Sequence, residues 1–500
     1  MDARQFVFLT RLPSATVQSR GSFCGISKRA LAFLLANVMF WQPLWAQAEG
    51  IAVSAPGTGL AQAGNGVPIV NIATPNANGL SHNQFKDYNV DAQGLILNNA
   101  IERTQATQLG GIIVGNPNLN GRAADIILNE VNGANPSQLR GYTEVAGKSA
   151  HVIVANPHGI SCDGCGFINT PNVTLSTGKP VIENGQLSRY QVDQGTVSIQ
   201  GAGLNASNVD QFEIITRATK INARIQANKL DIVAGRNDVD ARTLTATARG
   251  GDGSPKQELA IDSSALGGMY ANTIRLVGTE AGVGVRLAGD MVAGGDIHID
   301  ANGKLDLGQA SAGGTLVAKA QGIDVQGPVH AAKDLAITSQ GDLRNQRSLA
   351  AGDSLRLDSA GRVLNQGIVE VGVSADGSRN RQGDLQVTAQ AVDNNGHTLA
   401  ASRDLAINTN DLANQDGTLS AGRSARIDAQ QLDNQNRGRV LSAGNLGVNS
   451  QTLLNGQGGL IAGSGALDEW RLKRLPVPLL SAKGTSPSGT TISMSSEMKV

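Results

Sequence analysis

The sequence predicts an all-β fold, a right-handed parallel β-helix with extra hairpins and loops in its N-terminal part. Three observations predict it: a repeat of about 20 residues in the C-terminal half, apolar alternation at period two, and turns rich in Gly, Asn and Asp. An Asn closes each short alternating segment, at Asn345, Asn365, Asn394, Asn414, Asn434 and Asn455, with spacings of 20, 29, 20, 20 and 21. The interval of 29 contains an inserted loop of nine residues, VSADGSRNR (373–381). A second marker runs in step, at Leu349, Leu399, Leu419, Leu441 and Leu460. A unit this short cannot bury its apolar face alone, but stacked copies can.

Segments such as DLAIT, SLRLD and DLQVT alternate apolar and polar residues, the pattern of strands with one buried face. Each strand is expected to span three to five residues. Gly, Asn and Asp tolerate the left-handed backbone that tight corners need. Some nine coils between 290 and 465, about 4.8 Å apart, would make a rod on the order of 40 Å long. A leucine-rich repeat would need denser leucines and a convex helical side, and neither pattern is present.

The N-terminal half follows a looser version of the same pattern. GIIVGNPN and HVIVANPHG each place an apolar strand before an Asn-Pro turn, and Asn116 and Asn156 lie 40 residues apart, the length of two coils. VPIVNI (67–72), ADIILNEV (124–131), NVTLST (172–177), GTVSIQG (195–201), FEIITRA (212–218) and LDIVAG (230–235) read as further strands, and ARGGDGSPKQ (248–257) as an excursion. Aromatic residues are 3% of the chain, so the core must be narrow and built from Val, Ile, Leu and Ala. No long amphipathic helix is visible.

The segment 1–48 reads as a secretory signal. Lys28 and Arg29 precede the apolar run ALAFLLANVMF, and Ala46 and Ala48 stand in cleavage register, with cleavage after Ala48. The run is too short to span a bilayer, which takes about 20 residues. Removing this segment takes away five basic residues and one acidic residue, leaving a net charge of about −4. That charge argues against nucleic acid or an anionic membrane as the main partner. Residues 466–500 lose the repeat and read as an irregular, disordered tail.

Cys162 and Cys165 form a CxxC in a chain expected to pass through an oxidising compartment. A redox site would place the pair at a helix start, and a zinc site would need a second pair of ligands. Neither context is legible, so a structural disulfide or paired thiols is favoured over both. DIHID (296–300) offers Asp296, His298 and Asp300 to a metal, but the simpler reading sends Ile297 and Ile299 inward and the polar groups to water. GYTEVAGKS (141–149) is one residue too long for a phosphate loop and is followed by a strand. Dispersed carboxylates do not suit a β-helix lyase. No catalytic residue, metal or cofactor is expected. The residues alone leave the two Asn-Pro turns open, either as plain coil corners or as recognition turns.

At these turns the chain resembles the filamentous-haemagglutinin-like exoproteins of Gram-negative bacteria, the passengers of two-partner secretion. The resemblance rests on the long signal, GLSHNQFKDYNV (79–90), GLILNN (94–99), IIVGNPNL (112–119), ADIILNEV (124–131), HVIVANPHGI (151–160), CDGCGFINTP (162–171) and the downstream repeats. The family's NPNL motif is present at Asn116, Pro117, Asn118 and Leu119. Its second motif departs at Asn156, Pro157, His158, Gly159 and Ile160, with His158 where Asn is usual. The CxxC beside it looks most like the contact-dependent growth inhibition branch.

The resemblance implies a signal at 1–48, a secretion domain at 49–290, haemagglutinin-type repeats at 291–465 and a tail at 466–500. It implies export by the Sec machinery, recognition by a cognate outer-membrane transporter, and a rod at the cell surface or in the medium that meets a host or neighbouring-cell receptor. It implies no small-molecule substrate. The chain reads as a secretion-competent stub without the C-terminal effector of such proteins, and the runner-up is a short, complete surface adhesin.

Overall fold

The computed structural model describes residues 50–251, 253–374 and 376–464, together with the backbone of 471–472. The signal with Ala48 and nearly all of the tail lie outside the described residues. The described residues contain strands and turns but no helix.

The chain winds into a solenoid with three strand-bearing faces. One coil runs through Ile126–Val131 on the first face, Ser137–Leu139 on the second and Tyr142–Gly147 on the third. The next coil places His151–Ala155, Ile160–Cys162 and Cys165–Ile168 beside them in parallel register. Parallel pairing continues coil by coil to Leu460–Gly463, which lies on Arg439–Ser442. Alternation sends one set of side chains inward, so Leu335 and Ile337, or Leu385 and Val387, are buried while their neighbours face solvent. Each fully buried aliphatic side chain contributes about 1.5–3 kcal/mol.

The upstream end is closed by antiparallel strands. Ile51–Val53 pairs with Leu80–Tyr88, and Gly59–Gln62 pairs with Pro68–Asn71. Phe85 and Tyr88 pack edge to face inside this cap, with ring centroids 5.1 Å apart.

Two excursions leave the corner between the first and second faces. They supply Lys179–Glu183 and Gln186–Val192 from one coil, and Asn237–Asp240 and Ala246–Ala248 from another. Together these make a four-stranded antiparallel sheet lying over the first face. Tyr190, Val192 and Val239 of that sheet, with Leu244 of its last turn, form a second core with the outward-facing Leu128, Ile153, Ile215 and Val233.

The alternation of DIHID is as read from sequence: Ile297 and Ile299 are buried and Asp300 is exposed. Four other expectations need correction. Strands are not confined to three to five residues. Ile297–Leu307 spans 11 because the backbone stays extended around the corner between the first two faces.

The insertion is larger than the Asn spacing suggests. Leu355 is in register with Leu385, an interval one residue longer than that from Asn365 to Asn394. Ten residues are therefore added before Asp384. One is lost at the following corner, where Ala389-Gln390 replaces Ser359-Ala360-Gly361.

The second marker slips in the last coils. Leu419 is in register with Val440, and Val440 with Ile461, so Leu441 and Leu460 are not the buried positions. The turn after Asn434 has one residue more than the turn after Asn414, absorbed by left-handed backbone at Asn436 and Arg437.

Finally, the two Asn-Pro turns do not follow equivalent strands. HVIVA is a core strand, but GIIV belongs to a hairpin outside the solenoid, Thr104–Thr107 with Gly111–Val114, leaving Ile112 77% and Val114 74% exposed. Asn116 lies between the third and first faces and Asn156 between the first and second. They are separated by one coil and one face rather than two coils, because the coil from Ile127 to its register partner Val152 is longer than the downstream repeat.

Candidate functional site

Both Asn-Pro corners are built from a buried amide. Asn116 Oδ1 accepts the N–H of Asn118 at 2.9 Å, closing a turn around Pro117. Its Nδ2 donates to the carbonyls of Ile72 at 2.9 Å and Asn98 at 2.8 Å, which ties the corner to the cap and the first coil. Asn118 Nδ2 reaches the carbonyl of Gly57 at 3.0 Å, and Leu119 is buried in the main core. Pro117 is exposed.

Asn156 repeats this chemistry one corner type away. Its Oδ1 accepts the N–H of His158 at 2.9 Å, and its Nδ2 donates to the Asn135 carbonyl at 2.9 Å and Ser137 Oγ at 3.0 Å. Pro157 is half-buried, His158 is exposed, and Gly159 and Ile160 are buried. Gly159 has φ +118°, and a Cβ there would meet the Thr196 carbonyl oxygen at 3.1 Å, so the position requires glycine. The departure at His158 therefore falls on the one side chain of this corner that faces fully outward.

Cys162 and Cys165 are joined in a disulfide across the corner from the second to the third face, with Cα atoms 5.4 Å apart. Asp163 and Gly164 make the turn between them. Gly164 has φ +82°, and Asp163 Oδ1 accepts the Ala202 N–H at 2.8 Å. Both cysteines are buried in the main core between strands. A reactive thiol needs access and an electropositive or helix-terminal setting, and this corner provides neither. Among the described residues no cluster of three or more His, Cys, Asp or Glu has the placement to hold a metal.

The structure does not bring the two Asn-Pro corners together into one pocket. It sets each on its own corner and joins the second to the disulfide through the short strand Ile160–Cys162. What the three elements share is hydrogen bonding and shape.

Sequence reasoning missed the buried groups that hold the outer hairpin, the cap and the first coils around these corners. Glu144, inside the rejected phosphate-loop segment, is buried and accepts the N–H groups of Gln108 and Leu109 at 2.8 Å each, pinning the outer hairpin. Asn83 Oδ1 accepts the N–H of Ala73 at 2.8 Å, and Asn99 Nδ2 donates to the Lys148 carbonyl at 2.8 Å. The available signal was Asn within apolar runs, in GLSHNQF and GLILNN, where a buried amide must find partners.

Comparison with known proteins locates the chain. The TPS secretion domain family matches residues 48–307, and the haemagglutinin repeat matches 307–367, 370–434 and 414–468. A tRNA nuclease CdiA of Yersinia mollaretii is 41% identical over 436 residues, covering 86% of this chain and 14% of that protein. A 16S rRNA endonuclease CdiA of Enterobacter cloacae subsp. cloacae is 43% identical over 434 residues, covering 85% and 13%. The chain thus spans 14% or less of the length of these curated relatives. Among solved structures, a filamentous hemagglutinin secretion domain is 33% identical and covers 64% of this chain and 99% of its own, with a TM-score of 0.48.

Proposed function

The chain belongs to the family of the TPS secretion domain, with haemagglutinin repeats behind that domain, and from this premise we propose that residues 49–290 direct it through a cognate outer-membrane transporter. The family's exoproteins are secreted across the outer membrane. In this reading the Sec machinery delivers the unfolded chain to the periplasm after cleavage at Ala48. The transporter recognises the segments around Asn116–Leu119 and Asn156–Ile160, and the solenoid folds outside, where the repeats of 291–465 extend a rod. The nuclease activities in the relatives' names belong, on this proposal, to parts that this chain does not span. Its own contribution is export and a scaffold for adhesion or delivery, with no catalytic residue.

One observation carries the reading. The amides of Asn116 and Asn156 are buried and hydrogen-bonded in the folded domain, and only Pro117 and His158 of the two motifs are fully exposed. A partner that reads these motifs as sequence must therefore meet them before the corners close, in the state that threads a pore. Each coil that closes outside then gains buried hydrogen bonds and apolar contacts that an unfolded chain in the pore lacks, which opposes return.

The test is a blot of medium against periplasm, with and without the matching transporter. Transporter-dependent appearance in the medium is the expected result, and Asn116→Ala and Asn156→Ala should shift the protein to the periplasm. Release that is indifferent to the transporter, or unaffected by both substitutions, refutes the proposal.

A further inference from the structure

Three side chains on successive strands of the first face form a hydrogen-bonded chain under the four-stranded sheet. His151 Nε2 lies 2.8 Å from Thr174 Oγ1, and Thr174 Oγ1 lies 2.6 Å from Glu213 Oε2. Gln211 Nε2 donates to Glu213 Oε1 at 2.8 Å. Thr174 is fully buried and Glu213 nearly so. From the sheet above, the buried Tyr190 hydroxyl sits beside Thr174 and Glu213. From the next strand, Lys229 and Asp231 face the carboxyl, and Asp231 in turn lies 3.6 Å from Arg275.

Burial raises the Glu213 carboxyl to about 7, with Asp231 adding to the rise and Lys229 and the Thr174 and Gln211 hydrogen bonds opposing it. Burial also lowers His151 to about 4, so its imidazole is neutral throughout the range in which Glu213 titrates. A hydroxyl has one proton to donate, and a neutral imidazole has one donor and one acceptor nitrogen. The chain can therefore be satisfied in two opposite senses.

We propose that Glu213, Thr174 and His151 form a proton-linked hydrogen-bond relay that reverses direction when Glu213 gains or loses its proton, a switch lodged between the solenoid and the four-stranded sheet. With the carboxyl neutral, Glu213 O–H donates to Thr174 Oγ1, Thr174 O–H donates to His151 Nε2, and the imidazole proton sits on Nδ1. When Glu213 releases its proton to water, the carboxylate can only accept. Thr174 then turns its O–H toward Glu213 and accepts from Nε2–H of His151, whose proton has moved from Nδ1 by exchange with water. One proton leaves and no other charge changes. His151 is half-buried, so solvent reaches it. The ionised state places a negative charge beneath Tyr190 and against Asp231, which loosens the sheet on the solenoid.

Selective 15N-histidine labelling of the full chain reads the tautomer directly, with His151→Gln assigning the signal among six histidines. The expected result is an exchange of the Nδ1 and Nε2 roles, with the same midpoint as the Glu213 carboxyl titration. Amide exchange in Lys179–Val192 should quicken about tenfold over that range. Thr174→Val should abolish the tautomer change and Thr174→Ser should keep it, which separates the relay from a general loss of packing. A single His151 tautomer from about pH 5 to 9, or a change that persists in Glu213→Gln, overturns the proposal.

Discussion

The two halves of the solenoid solve the same corner problem in opposite ways. Downstream, each coil repeats one device. Asn345 Nδ2 donates to Asn365 Oδ1 at 2.8 Å, and the pattern continues through Asn394, Asn414 and Asn434 to Asn455 at 2.7–2.8 Å. Most of these amides also donate to a carbonyl of their own turn, as Asn394 does to His397 at 3.0 Å. Upstream, each corner has its own partners, and the stacked positions Ile127, Val152, Val173, Phe212 and Leu230 follow one another at uneven intervals along the chain. The aromatic pairs, Phe85 with Tyr88 and Phe167 with Phe212, lie in this half, while among the described residues the large apolar side chains buried after Met291 are all aliphatic. A shared ladder makes coils interchangeable, whereas individual corners make each coil identifiable.

The largest effect should come from breaking the ladder at its middle. Asn414→Leu removes the acceptor of Asn394 and the donor to Asn434 and leaves the Gly417 and Arg439 carbonyls short of a partner. A local loss of about 3 kcal/mol is expected, seen as faster amide exchange in the flanking coils and none near the cap. Asn116→Ala should cost about 2 kcal/mol, confined to the cap and the outer hairpin, since its partners lie on Ile72 and Asn98. If either substitution loosens both halves equally, the contrast between shared and individual corners fails.

The third effect is a pH slope found only upstream. Glu213 is raised from 4.5 to about 7 in the folded chain, so its contribution is complete below 4.5 and is lost as pH rises through 7. His151 is lowered from 6.5 to about 4, so its contribution is complete above 6.5 and is lost as pH falls through 4. Between 4.5 and 6.5 the two slopes oppose each other, and the wild-type first face should be nearly indifferent to pH. Glu213→Gln should leave protection that rises with pH, and His151→Gln protection that falls with it, each by at most about 1.4 kcal/mol per unit. Hydrogen exchange of Gln211–Thr216 measures both. The smallest effect belongs to the outer charge pairs. Arg423, paired with Asp404, is 63% exposed, and Arg423→Ala should leave exchange rates in its coil unchanged.

Much of the downstream half was legible because its physics is periodic. The Asn at each coil end was visible as a spacing, and the buried ladder is what that spacing encodes. The slip at Leu441 and Leu460 was not visible, since one extra turn residue moves burial to Val440 and Ile461 without altering composition. Upstream, apolar runs marked most strands, but nothing local distinguished GIIV outside the solenoid from HVIVA inside it. That difference depends on Glu144, on a later strand of the solenoid, holding Gln108 and Leu109. The four-stranded sheet joins excursions from two coils and could not be read from either alone. The motif residues were legible as turns, while the partners of their amides, Ile72 and Asn98 for Asn116 and Asn135 and Ser137 for Asn156, were not.

The ten residues inserted before Asp384 leave the stacking around them intact, because Asp384 takes up the register of Ser354 and hands it on to Asp404. Such a corner is a socket. A foreign peptide grafted there would be displayed on the flank of a stiff scaffold, its ends already held close together by Val371 and Asp384. Guests at several such corners would be carried at heights fixed by the winding, so that one gene could dictate both what is shown and how far along the shaft it stands.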